Sequence, residues 1–151
     1  MKKTIFTMIL MIVAVFSAKA QSSAKITEIL ETENVTWGQL AYLSAIQLSL
    51  ADENDSEEKC ISVLKENNII TKDAEASQTV VLKDIAQVCA KTWNVKGGIF
   101  YKIFHTPRYA LRQLKNDGII AVAEDPSKLS DGHELLNIIN ECIETYEGEK
   151  K

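Results

Sequence analysis

Apolar residues recur along most of the chain at spacings of three and four, the period of an amphipathic helix. The clearest stripe consists of Leu82, Ile85, Ala86, Cys89 and Trp93. We predict helices at residues 25–31, 37–50, 57–66, 82–96, 99–104, 107–117 and 131–147, the first and fifth being short. Short polar joints separate them. The pattern predicts an all-α single domain of about six helices.

Residues that favour helix ends support these boundaries. Thr36, Ser56 and Ser130 are placed as N-caps, and Pro107 occupies a first helical position, where its missing N–H costs nothing. Gly118 suits the left-handed position that follows a helix. The pair Gly97-Gly98 is predicted to break the helix that begins at Leu82.

The N-terminus has the organisation of a secretory signal. Lys2 and Lys3 precede an apolar run over residues 5–16, and Ser17-Ala18-Lys19-Ala20 supplies small residues for cleavage. The run is shorter than the ~20 residues of a membrane span, although a retained anchor is the alternative. We predict a cleavable signal at 1–20, one domain at 21–147, a disordered tail at 148–151, and no transmembrane segment after cleavage. The protein is therefore expected in the periplasm or on the cell envelope.

Two parts of the chain resemble each other. Cys60-Ile61, Leu64-Lys65 and Asn67-Asn68-Ile69-Ile70 match Ala110-Leu111, Leu114-Lys115 and Asp117-Gly118-Ile119-Ile120 at an offset of 50 residues. The preceding helices match at an offset of 45, with Leu40-Ala41 aligned on Ile85-Ala86. The last helix continues the series as half a unit. These matches predict two and a half stacked helical-hairpin repeats.

The helix starts and ends resemble those of the S-layer homology (SLH) repeat, over roughly residues 34–146. The matching segments are Val35-Thr36-Trp37-Gly38-Gln39, Leu129-Ser130-Asp131-Gly132-His133-Glu134, Asn68-Ile69-Ile70 and Gly118-Ile119-Ile120. The resemblance implies a helical module that holds a protein on the envelope by binding secondary cell-wall polymers. The family's Thr-Arg-Ala-Glu start is altered here. Lys83 stands nearest to its Arg in the second start, Trp37 and Asp131 in the others, and the family's Gly-, Phe- and Pro-bearing loop is missing from 71–79.

Charge is unevenly distributed. Residues 21–151 contain 14 basic and 21 acidic residues, yet residues 83–115 contain seven basic residues against Asp84 alone. Five of the eight aromatic residues after position 20 lie in the same stretch. Such a surface suits an anionic glycan, a peptidoglycan strand or lipid head groups. The predicted ligand-binding residues are Lys96, Lys102, Arg108, Tyr109 and Arg112. The alternative is that the cations only solvate the surface and pair with the acidic half, with Trp93, Phe100 and Phe104 in the core.

The remaining reactive side chains do not form a recognisable catalytic constellation. Cys60, Cys89 and Cys142 fall on apolar stripes, so core packing is expected, with one disulfide as the alternative. His105 and His133 stand near helix ends and are expected to be partly exposed. No metal or cofactor is predicted, and an exported acidic protein is not expected to bind nucleic acid.

These features predict a non-catalytic exported envelope protein, an SLH-like module that binds a cell-wall or envelope component through the basic and aromatic surface. A periplasmic protein–protein adaptor or assembly factor without a glycan ligand is the alternative. A small hydrolase that uses His105 or His133 is a third hypothesis.

Overall fold

Seven helices form the secondary structure of residues 23–148, the part of the chain that the computed structural model describes. Helix α1 covers residues 23–30. The others are α2 Trp37–Gln47, α3 Glu57–Glu66, α4 Leu82–Thr92, α5 Ile99–Phe104, α6 Pro107–Asn116 and α7 Gly132–Gly148. Within this part of the chain the fold is an all-α single domain, as predicted, with a helix at each of the seven segments where the pattern predicts one. The predicted signal peptide and residues 149–151 lie outside the described residues, whereas α7 extends to Gly148, where the tail was predicted to begin.

The predicted starts of α2, α3 and α6 are confirmed. The hydroxyl of Thr36 accepts a hydrogen bond from the Gln39 amide at 3.3 Å, and the Gln39 side chain accepts one from the Thr36 amide at 3.1 Å. This reciprocal pair is a capping box, which satisfies two otherwise unpaired donors. Ser56 accepts from the Lys59 amide at 3.3 Å, and Pro107 occupies the first turn of α6.

Three predicted boundaries were wrong. The cap of α7 is Asp131, whose Oδ1 accepts from the Glu134 amide at 2.8 Å, because the Ser130 carbonyl is instead bonded to the Val35 amide. Helix α2 ends at Gln47 and not at residue 50, because Ser49, two residues after the helix, takes a left-handed φ of 56°. Helix α4 ends at Thr92, and Asn94, with a φ of 49°, turns the chain before the glycine pair is reached.

The segments that lead into α2, α4 and α7 meet at one junction. The Val35 amide donates to Ser130 at 2.9 Å, the Val80 amide to Val35 at 3.0 Å, and the Leu82 amide to Lys128 at 2.9 Å. These backbone bonds satisfy polar groups that would otherwise be buried unpaired. The three helix starts therefore lie side by side.

Two helical pairs pack beside this junction, α2 against α3 and α4 against α6. The aligned stripes of α3 and α6 are buried, including Leu64 and Leu114, which are both inaccessible to solvent. The chain then leaves each helix in the same way. Asn68 and Gly118 have φ values of 58° and 80°, and the next amide donates to Leu64 or Leu114 at 2.9 Å.

All three cysteines are buried free thiols, as expected of core residues. Cys60 packs from α3, Cys89 from α4 and Cys142 from α7. Cys89 and Cys142 interact directly through their side chains, and this contact together with burial raises the pKa of Cys89 well above its usual value. The core is thus held by packing between helices.

Candidate functional site

Four of the five predicted ligand-binding residues lie on the α5–α6 hairpin. Lys102 is in the last turn of α5, while Arg108, Tyr109 and Arg112 are on α6. The two arginines are four residues apart, which places them on one face of the helix. Lys102, Arg108 and Arg112 are exposed and Tyr109 is half-buried. Lys96 is exposed as well, but it precedes α5 and lines a separate cavity.

An aromatic pair joins the two helices of this hairpin. The rings of Phe104 and Tyr109 stack with centroids 5.3 Å apart and planes 18° from parallel. The expected burial of Phe104 was wrong, since 53% of it is exposed, whereas the burial of Trp93 is confirmed. The side chain of Phe100 lies outside the described part. A short helix has room to bury only one side, and among the α5 residues whose exposure is described the buried one is Tyr101.

The outer side of α5 exposes large apolar side chains that the sequence analysis did not single out. Ile99 is 72% exposed and Ile103 64%. They are four residues apart, so they share a face, and Phe104 adjoins Ile103. We call Ile99, Ile103 and Phe104 the α5 apolar face. It lies in a stretch, residues 85–116, that contains no acidic residue.

A groove of about 540 Å³ adjoins the C-terminal end of α5. Its walls come from the first residue of α2, the segment after α3, the start of α4 and the α5–α6 joint. We call it the basic groove; among the residues that line it are Trp37, Lys72, Lys83, Asp84, His105 and Pro107. From the sequence, Lys83 was recognised only as the residue nearest to the arginine of the SLH start. The rest of the groove was missed, because its residues come from four separate parts of the chain.

One ion pair and one ring contact organise the groove. Asp84 is almost completely buried, and its Oδ2 lies 3.0 Å from the Lys72 ammonium. The same ammonium lies 6.0 Å from the centroid of the Trp37 ring, within cation–π range. Lys83, in contrast, forms no ion pair with any residue between 23 and 148. The groove therefore combines an aromatic floor with one neutralised and one unneutralised cation.

The basic groove and the α5–α6 hairpin are fixed to each other. The Gln87 side chain donates to the His105 carbonyl at 2.9 Å and so ties α4 to the joint. His105 itself has a left-handed φ of 45° at the end of α5, and its ring lies 5.5 Å from that of Tyr101. A ligand that fills the groove would thus reach the start of α6 near Arg108.

Lys96 lines a second cavity, of about 630 Å³, between the end of α4 and the end of α7. Tyr146 donates to Asp117 Oδ2 at 2.6 Å, and Gln113 donates to the same carboxylate at 2.9 Å. Burial and this hydrogen bond to Asp117 raise the pKa of Tyr146 far above its usual value. The side-chain Oε1 of Gln113 in turn accepts from the Gly98 amide at 2.8 Å. The polar groups here are largely engaged with one another.

Ion pairing separates the cations of the described chain into two sets. Five lysines form ion pairs with carboxylates: Lys25, Lys59, Lys65, Lys72 and Lys128. The seven cations of residues 83–115 form none with residues 23–148. Lys91 and Lys115 donate to backbone carbonyls instead. The sequence alone left open whether these cations pair with the acidic half; in the described structure they do not.

Both histidines are exposed, His105 at the end of α5 and His133 in the first turn of α7. Between residues 23 and 148 no group of three or more His, Cys, Asp and Glu side chains is arranged to hold a metal ion. In the same range no helix has the length and apolar character needed to cross a membrane.

No protein-family model matches the chain, and no curated protein is similar enough to count as a relative.

Proposed function

We propose that the chain is an exported, non-catalytic envelope protein that binds an anionic cell-wall polymer in the basic groove and along the adjoining cations of α5 and α6. The observation that carries the proposal is the set of seven cations in residues 83–115 that form no ion pair with residues 23–148, in a protein that is acidic as a whole. Unpaired like charges raise the energy of a surface unless a ligand of opposite charge neutralises them.

The basic groove provides a defined site at which these cations can attract an anionic ligand. Trp37 is 4% exposed and closes the bottom of the groove beneath the Lys72 ammonium. Lys83 lines the groove, and Arg108 follows its last lining residue, Pro107, so both can meet carboxylate or phosphate groups. The carboxylate of the groove, Asp84, is already paired with the Lys72 ammonium at 3.0 Å. Binding without turnover is the function that this set of side chains supports.

The repeat architecture is part of the proposal. The side-by-side helix starts and the matching exits at Asn68 and Gly118 are what two and a half stacked hairpins would produce. They support the SLH-like interpretation of the sequence. In the second unit Lys83 then stands nearest to the Arg of the family's Thr-Arg-Ala-Glu start, and it lines the basic groove.

The test is co-sedimentation with purified cell-wall sacculi at low and high salt, using the exported form without residues 1–20. We expect binding that weakens as salt screens the charges. Arg108→Glu/Arg112→Glu and Lys83→Glu should each reduce it. The matched control is Lys59→Glu/Lys65→Glu, which makes the same change in net charge on α3 and should bind like the wild type.

The alternative is a periplasmic protein–protein adaptor, which the exposed α5 apolar face favours. It becomes the leading function if neither the wild type nor any variant sediments with sacculi while a defined envelope protein co-purifies with the chain. Equal loss of sedimentation in the control and in the arginine variant would instead indicate a nonspecific effect of net charge.

A further inference from the structure

We propose that the α5 apolar face inserts into the surface of an anionic lipid bilayer and so holds the protein at a membrane. This extends the proposed function and rests on it, since the same unpaired cations supply the attraction. It assigns a separate partner to α5, while the basic groove remains the site for polymer.

The apolar residues that carry the proposal are concentrated. Among residues whose exposure is described, five large apolar side chains are exposed. Three of these five, Ile99, Ile103 and Phe104, lie on α5, a helix of only six residues. Scattered exposed apolar residues are ordinary, but a contiguous group on one face marks an interaction surface. Ile99 and Ile103 lie one above the other on this face, and Phe104 extends it toward α6.

The cations stand where lipid head groups would meet them. Lys102 lies within α5 itself and Arg108 begins α6, and neither forms an ion pair with the described residues. An apolar face bordered by Lys and Arg is the arrangement by which amphipathic helices lie in the plane of a membrane interface. Each such cation is attracted to an anionic leaflet, and this attraction falls off within a short distance from the membrane surface.

The fold holds α5 in place with this face outward. Tyr101 is buried beneath the helix, and its burial raises the pKa of the phenol. Before α5, the Gly98 amide is bonded to Gln113 of α6; after it, the His105 carbonyl is bonded to Gln87 of α4. Because both ends are fixed to the domain, insertion of the face needs no unfolding.

Two other occupants fit these observations less well. A cell-wall polymer is polar throughout, so it has no apolar surface against which the isoleucine side chains could be buried. A second copy of the chain would form a two-fold interface in which the same patch meets itself, so that Lys102 and Arg108 would approach their own counterparts. A bilayer with anionic lipids satisfies the apolar and the basic residues at the same time.

The experiment is flotation of the exported form with two kinds of vesicle, one of phosphatidylcholine alone and one of phosphatidylglycerol and phosphatidylcholine in equal parts. We expect roughly tenfold or greater preference for the anionic vesicles. Ile99→Ser/Ile103→Ser should reduce binding to them roughly tenfold or more, because the exposed CH₂ and CH₃ groups no longer enter the lipid. Lys102→Glu/Arg108→Glu should have an effect of similar size.

The control is Val122→Ser, which removes an apolar side chain of similar exposure, 79%, beyond the far end of α6. It should float like the wild type. Circular dichroism melting of every variant checks that the fold is retained, which is expected because the substituted side chains are exposed.

The outcomes separate the two proposals. Sedimentation with sacculi but no flotation with anionic vesicles would overturn the membrane proposal and leave the proposed function standing. Flotation that the isoleucine variant retains would also overturn it, since charge alone would then suffice. A dimer in solution that the same variant dissociates would assign the face to a second copy. Failure in both assays would remove both proposals.

Discussion

The connection between α2 and α3 and the connection between α4 and α6 differ far more than the helices they join. The first, residues 48–56, is acidic, and its Asp55 pairs with Lys59 at 2.7 Å. The second, residues 93–106, is five residues longer, contains no acidic residue and folds into α5. The helices around them bury aligned apolar residues and end alike. The α5 apolar face thus comes from the second connection, whereas the basic groove and the two arginines of α6 belong largely to the helices around it.

Charge follows the same division. Lysines in the first half of the described domain have carboxylate partners, so their fields are largely neutralised close by. The cations from Lys83 to Lys115 have no such partners among residues 23–148. Of these, Lys83 lines the basic groove, and Lys102 lies on the same helix as the α5 apolar face. A surface can therefore be attractive to anions although the protein as a whole is acidic.

The largest change in the free energy of unfolding is expected from core substitutions, which test whether the α2–α3 and α4–α6 pairs contribute equally to stability. Leu64→Ala in α3 and Leu114→Ala in α6 each remove a fully buried side chain. Each should lower the free energy of unfolding by about 2–5 kcal/mol through lost burial and the cavity left behind. Urea unfolding measures both. A loss below about 1 kcal/mol at one position would show that the pairs do not contribute alike.

A smaller change in the free energy of unfolding is expected at the left-handed residues that follow α3 and α6. Gly118→Ala should cost about 1 kcal/mol, because its φ of 80° disfavours a Cβ, although no atom lies near enough to clash with one. At the equivalent position, Asn68→Gly should be neutral or slightly stabilising, since glycine adopts the φ of 58° more easily. Thermal unfolding compares the two. Destabilisation by Asn68→Gly as large as that by Gly118→Ala would contradict the shared left-handed role.

Substitutions in the second connection should leave the stability of the fold unchanged while they weaken the proposed binding to vesicles. Ile103→Ser should alter the free energy of unfolding by less than about 0.5 kcal/mol, because the side chain is 64% exposed. Chemical denaturation next to the vesicle assay provides the check. A marked loss of stability would mean that the α5 apolar face packs against the domain.

The smallest difference between the two pairs is expected in thiol reactivity. Burial raises the pKa of Cys60 in α3, and the contact with Cys142 raises that of Cys89 in α4, so little thiolate forms near pH 8. A thiol reagent should therefore react slowly with the native protein and titrate three thiols after unfolding. Two missing thiols in the unfolded, unreduced protein would establish the disulfide that the sequence left as an alternative.

Sequence alone was sufficient where a local signal decides the structure. Thr36, Pro107 and Gly118 each act within one helical turn, and their roles were predicted correctly; the return bond of Gln39 to Thr36 was not predicted. The cap of α7 was misplaced by one residue because a distant strand-like contact, Val35 with Ser130, engages the backbone there. Periodicity could not orient α5, since six residues provide too few turns to define a buried side. The basic groove needed tertiary structure, because Trp37, Lys72 and Lys83 meet only when separate helices pack.

The most direct test of the central claim is amide hydrogen exchange of the exported form with and without a soluble anionic fragment released from cell-wall sacculi. Binding by the unpaired cations predicts slower exchange in peptides from the start of α4 and from residues 99–112, with no change across residues 48–60. Protection confined to residues 48–60, or no protection in a sample that demonstrably binds the fragment, would contradict it.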